Sequence, residues 1–142
     1  MTATGRRVAA VALAMVVGGG AAAPSVQAQA VPSEVRQLGE VEITLHLHGF
    51  LDAEARQFLE IIATVPEALE VMTGGADASG HAAMAAAPDE GVLQGGVPPE
   101  SLHAVAQLPD ADSARAEALA GCDGVRQGGA ACVVVLEVAP AR

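Results

Sequence analysis

The chain contains no lysine, no tryptophan and no tyrosine, and only two phenylalanines, Phe50 and Phe58. Without lysine, no side chain can form a Schiff base with a carbonyl substrate or cofactor. With so few aromatics the core must be built from Ala, Val, Leu and Ile, whose small side chains each bury modest apolar area. Cations are scarce as well: seven arginines stand against 17 acidic residues, and the formal net charge is −10. A surface of that sign repels phosphate backbones and anionic membranes, so nucleic-acid binding is not expected. Cysteine is limited to Cys122 and Cys132.

What is present begins with an export pattern over residues 1–30. Arg6 and Arg7 supply a positive start, Val8 to Val17 is an unbroken apolar run, and Gly18–Gly20 and Pro24 break any helix. Ala28-Gln29-Ala30 then offers the small-x-small site that a signal peptidase cuts, with Val31 as the new N-terminus. A membrane anchor is the rival reading, but spanning a bilayer takes about 20 apolar residues, more than this run supplies. No cysteine stands at the cleavage point to make a lipoprotein. The arginine pair hints at twin-arginine export, yet Gly5 before it and Val8-Ala9-Ala10 after it match that motif poorly, and general secretion fits better.

Cleavage there leaves 112 of the 142 residues, with 17 carboxylates against five arginines, a formal charge of −12. That length makes one domain rather than two. Residues 31–40 read as a lead-in punctuated by Pro32-Ser33 and Gly39, and residues 41–139 as a single small extracytoplasmic domain. In an oxidising compartment, Cys122 and Cys132 are expected to form a disulfide. The alternatives are two free thiols or half a metal site, and no histidine lies between or beside the pair to complete zinc ligation.

Along the domain, Val41-Glu42-Ile43-Thr44-Leu45-His46-Leu47-His48 alternates apolar and polar residues without error, the period of a strand with one buried and one wet face. Asp52 can cap a helix from Ala53 to about Thr64, with Ala55, Phe58, Leu59, Ile62 and Val65 on one stripe. Pro66 stops that helix or begins another turn, and Ala68 to Met72 is ambiguous between helix and strand. Thr73 to Ser79 is loop. Gly80 to Ala87, a run of small residues, suits a buried strand or a helix by composition alone. Pro88-Asp89-Glu90-Gly91 has turn chemistry, and Gly95-Gly96-Val97-Pro98-Pro99 makes another loop. Leu102 to Leu108 is a candidate strand. Asp110 or Asp112 can cap a helix to about Gly121, and Cys132 to Val138 is a β-branched run suited to a central strand. The expected fold is α+β: a small sheet of about four strands, two helices packed on one face, and one disulfide.

Candidate chemistry centres on His46 and His48. At i and i+2 on one strand both rings project from the polar face, which makes half of a zinc or copper site, and Glu42 on that face can add a carboxylate. No HExxH spacing, third neighbouring histidine or cysteine accompanies them, and the plainer reading is a wet sheet face that happens to carry two histidines. His81 and His103 can meet across neighbouring strands. Ser101 precedes His103 by two residues, but no GxSxG elbow surrounds it. Asp89-Glu90 sits in a turn without the remainder of a calcium loop. Gly74-Gly75 and Gly95-Gly96 fit neither a P-loop nor a dinucleotide fingerprint. No catalytic residue and no cofactor is assigned.

Three strings in the second half carry a family resemblance. They are Gly80-His81-Ala82-Ala83-Met84-Ala85-Ala86-Ala87-Pro88-Asp89-Glu90-Gly91, the helix Ser113 to Cys122, and Gly129-Ala130-Ala131-Cys132-Val133-Val134-Val135. Together they resemble a bacterial family of secreted proteins often labelled 5-aminolevulic acid synthase. Its pattern is a small-residue strand, a Pro-Asp/Glu-Gly turn, an Ala-Leu-x-x-Cys helix end and a Cys-x-Val-Val strand. Phe50-Leu51-Asp52-Ala53-Glu54 resembles the helix start upstream, so the likeness spans residues 50–140. Ser79-Gly80-His81 stands where that pattern has an aromatic, and relatives often carry a second similar unit. The resemblance implies an exported domain with paired cysteines. It does not bring the labelled activity, because that condensation runs on pyridoxal phosphate held by a lysine and this chain has none.

The reading that follows is an exported, non-catalytic module of the bacterial periplasm or envelope, periplasmic or secreted. It would bind a periplasmic or envelope protein and, once processed, would not insert into the membrane. The alternative is a small metal-binding protein or enzyme using His46 and His48.

Overall fold

The computed structural model describes residues 30–74 and 80–142. The expected signal segment, with Arg6, Arg7 and Ala28, lies outside them. Ala30 and Val31 are described, and both are exposed.

One five-stranded, wholly antiparallel sheet organises the chain. In chain order the elements are β1 (Ser33–Leu38), β2 (Val41–His46), α1 (Ala53–Thr64), α2 (Pro66–Met72), β3 (His81–Ala86), β4 (His103–Leu108), α3 (Ala111–Val125) and β5 (Val133–Pro140). The spatial order is β1-β2-β5-β3-β4, so the last strand inserts between the second and the third. An α+β class therefore holds, with one strand and one helix more than expected.

The extra strand is the segment read as a lead-in. Ser33–Leu38 pairs along its whole length with β2, from Ser33 opposite His46 to Leu38 opposite Val41. It is mostly exposed and lacks apolar alternation, because an edge strand needs only ladder hydrogen bonds and a partner. The extra helix is α2, which begins at Pro66. Proline fits the first helical position, where its missing N–H leaves no intrahelical bond unmade.

Register shows which residues share a face. Val41, Ile43 and Leu45 lie opposite Pro140, Val138 and Leu136, and Ala82 and Met84 lie opposite Val138 and Leu136 from the other side. These residues form one core with Ala55, Leu59 and Ile62 of α1. On the other face, Ala83, Ala85 and Ala87 pack against Ala114, Ala118 and Cys122 of α3. The helices thus lie on opposite faces of the sheet, not on one. The alternation of β3 shows it, with Ala82, Met84 and Ala86 in the core shared with α1 and Ala83 and Ala85 against α3, and neither helix's own stripe encodes that choice of face.

This layering resolves the small-residue run. Alanine favours helix in isolation, but Ala82 to Ala86 are buried strand residues covered on both faces. Short side chains let α3 and the opposite core close on the strand from both sides.

The helix starts follow capping chemistry. The Asp52 carboxylate accepts the Ala55 N–H at 2.8 Å, and the Asp110 carboxylate accepts the Ser113 N–H at 2.7 Å. Asp110 rather than Asp112 is the cap, since Asp112 pairs with Arg115. At the far end of α3, Cys122 is bonded to Cys132, with the Cα atoms 6.1 Å apart. The Asp123 carboxylate binds the Cys132 N–H at 3.0 Å and the Arg126 side chain at 2.7 Å, so the helix end and the entry to β5 are tied twice.

Candidate functional site

The polar side of β2 meets β5 beneath α3. Glu137 lies opposite Thr44 on one neighbouring strand and Ala83 on the other, so alanine leaves room above the sheet for its carboxylate. One carboxylate oxygen meets His46 Nε2 at 2.5 Å, and the other accepts from Arg115 Nη1 at 2.8 Å. The hydrogen bond with His46 holds the Glu137 carboxyl below its ordinary range; partial burial opposes that shift and the Arg115 charge adds to it. Asp112 takes the remaining side of the Arg115 guanidinium. Residues 46, 115 and 137 thus form one chain of contacts linking three elements.

Sequence reasoning singled out His46 but not Glu137 or Arg115. The available signal is Glu137 itself, the single charge inside Val133–Pro140. A carboxylate in the middle of an inner strand requires a partner, and the partner is what local pattern cannot name.

The paired-histidine expectation is not carried by the geometry. Strand β2 ends at His46, and His48 lies beyond it. The His48 N–H binds back to the His46 carbonyl at 3.0 Å, so the i, i+2 projection from one pleated face stops there. The His48 ring Nε2 donates instead to the Val134 carbonyl at 2.7 Å, and the ring stacks on Phe50. The two imidazoles stand 6.4 Å apart between centroids with their Nε2 atoms committed to different partners. Glu42 faces the same side, but among the described residues no group of three or more His, Cys, Asp or Glu is arranged to hold a metal.

The other singled-out residues separate. His81 lies opposite Leu108 and His103 opposite Ala85, so four residues of strand, about 13 Å, divide the two histidines. Ser101 is buried, with its hydroxyl unpartnered, while the His103 ring faces Gly121 of α3. Asp89 binds the Ala130 N–H at 2.7 Å and crowds Gly129, so this turn docks the loop before β5. The Glu137 cluster opens on a small notch of about 190 Å³, lined in part by Glu42, Thr44, His81 and Arg115. Each oxygen of its central carboxylate has a hydrogen-bond partner, and the hydroxyl in the notch lining is that of Thr44. The cluster is built to hold β2, β5 and α3 together.

A larger concavity lies on the opposite face. There α1 packs over β1 and β2, and among the described residues no helix packs closely on the β3–β4 end of that face. Met84 and Ala104 floor a groove of about 380 Å³, walled by Phe58 and Ile61 of α1, Val71 of α2, and the Pro98–Leu102 segment. Every lining side chain is apolar, in a chain where 17% of residues are charged. Val71 is 82% exposed, Val97 beside the groove 65% and Ile61 45%. Among the described residues, no helix is long and apolar enough to cross a membrane.

Comparison with family models, with curated proteins and with solved structures found no match to this chain.

Proposed function

We propose that the chain is an exported, non-catalytic module of the bacterial periplasm or envelope whose work is to bind a partner protein. The observation that carries this reading is the open apolar groove between α1, α2 and the Pro98–Ala104 segment, with Val71 almost fully exposed at its wall. Leaving Val, Ile and Phe surface in water is unfavourable by about 25 cal/mol per Å². A partner that covers the groove recovers that energy. The signal pattern of residues 1–30 and the Cys122–Cys132 bridge support an oxidising, extracytoplasmic location. The non-catalytic part is supported by the hydrogen bonds that tie Glu137 to His46 and Arg115 and the His48 Nε2 to the Val134 carbonyl.

A photo-crosslinking side chain placed at Val71 in the exported protein tests this. One dominant protein adduct is expected, with none from the same probe at Val35, which is exposed on the other sheet face. Equal, diffuse labelling from both positions would refute a specific partner site.

A further inference from the structure

We infer that the groove's occupant is a cationic amphipathic peptide segment, a short run of apolar side chains flanked by arginine or lysine. This rests on the partner-binding reading above and adds the chemistry of the partner.

The apolar half of the inference comes from the lining, which offers no hydrogen-bonding or charged side chain to a ligand. The cationic half comes from the rim. Glu54 lies one turn before Phe58, and its carboxylate sits beside Gly96, next to Val97 and Pro98. Glu67 lies one turn before Val71 on α2, and Glu100 falls in sequence between the lining residues Pro98 and Leu102. All three are exposed, and none joins an ion pair among the described residues. The nearby arginines are spoken for: Arg36 holds Glu34 and Glu60, and Arg56 donates to the Leu51 carbonyl. An apolar slot ringed by unpaired carboxylates selects against acidic ligands and steers basic ones.

The same charges argue against other occupants. A second copy would bring a matching acidic rim against this one, and it has no lysine to offset it. An anionic bilayer is repelled by the chain's net charge, and a flat surface does not reach the floor of a concave groove.

The test uses the exported, disulfide-bonded protein and labelled synthetic peptides read by fluorescence anisotropy. A short leucine–arginine peptide should bind saturably and weaken as salt is raised. A leucine–glutamate peptide and a serine–arginine peptide should not bind. Val71→Asp should weaken binding at least about tenfold. Because Val71 is exposed, that variant keeps the core intact; the paired reversals Glu54→Arg and Glu67→Arg provide a second arm, which should reduce leucine–arginine binding and admit the leucine–glutamate peptide. Equal binding of the two leucine peptides, or affinity indifferent to Val71→Asp, would overturn the inference. So would a wild-type dimer that Val71→Asp splits, or Val71-dependent binding to phosphatidylglycerol vesicles without peptide binding. Should the peptides fail while the Val71 cross-link to a partner persists, the charge chemistry falls and the partner-binding reading stands. Loss of both removes both.

Discussion

Gly121 of α3 lies directly against the imidazole of His103 on β4: a Cβ at this position would overlap the ring at Cδ2, Nε2 and Cε1. The next residue is Cys122, so this close approach seats the helix end where its disulfide partner meets it. Glycine inside a helix ordinarily costs about 1 kcal/mol relative to alanine. Here the missing Cβ is what allows the helix to pack on the strand.

A sign reversal should follow. Gly121→Ala is expected to destabilise the protein by about 1–2 kcal/mol through overpacking, despite the better helix propensity. In a His103→Ala background the same change should become neutral or stabilising. Urea unfolding of the four proteins measures the coupling, and additive effects would show that the ring moves aside freely.

The bridge between Cys122 and Cys132 should carry a large share of the stability, since both cysteines are buried and the core is assembled from small side chains. Cys122→Ser is expected to cost about 2–5 kcal/mol. Adding Cys132→Ser should change little further, because the bond is already absent. Alkylation of the native, non-reduced protein should label neither thiol.

Glu137 makes stability depend on acid. Its carboxyl titrates below the ordinary value of 4.5, with the His46 contact as the leading cause. A group whose folded value is depressed stabilises the native state above its unfolded value, and that stabilisation is lost as pH falls through the folded value. The gap between wild type and Glu137→Gln should therefore be full at neutral pH and shrink below about pH 4. Asp123, lowered chiefly by the Cys132 N–H, works in the same direction. Denaturant midpoints of both proteins at neutral and acid pH give the comparison, and a gap that widens in acid would reverse the assigned sign.

Processing after Ala30 gives a precise mass. The protein recovered from the exported fraction should begin at Val31, and a membrane-bound species beginning at Met1 as the stable form would count against the signal pattern of residues 1–30. Metal content of that same preparation should be substoichiometric, because His46 and His48 direct their Nε2 atoms to Glu137 and Val134.

Several features were legible because a few neighbouring residues dictate them. The alternation Val41 to His46 requires a strand with two unlike faces, Asp52 marks a helix start as Asp110 or Asp112 marks another, and two cysteines in an exported chain point to one bridge. The missing lysine excludes a side-chain imine whatever the fold. Other features belong to the tertiary structure. Ser33–Leu38 became a strand only because β2 offered an open edge, and the alanine run of β3 became one only because α3 and the opposite core close on it from both sides. His46 and Glu137 are 91 residues apart, and the insertion of β5 between β2 and β3 is what makes them neighbours. The apolar groove arises in the same way. Its walls come from separate stretches, the α1 helix, the segment Ala68 to Met72 that pattern left ambiguous and the loop around Pro98, and the fold is what brings them together on one open face. Local pattern determines which side chains prefer burial, while strand order and the face each helix takes decide which of them are left uncovered.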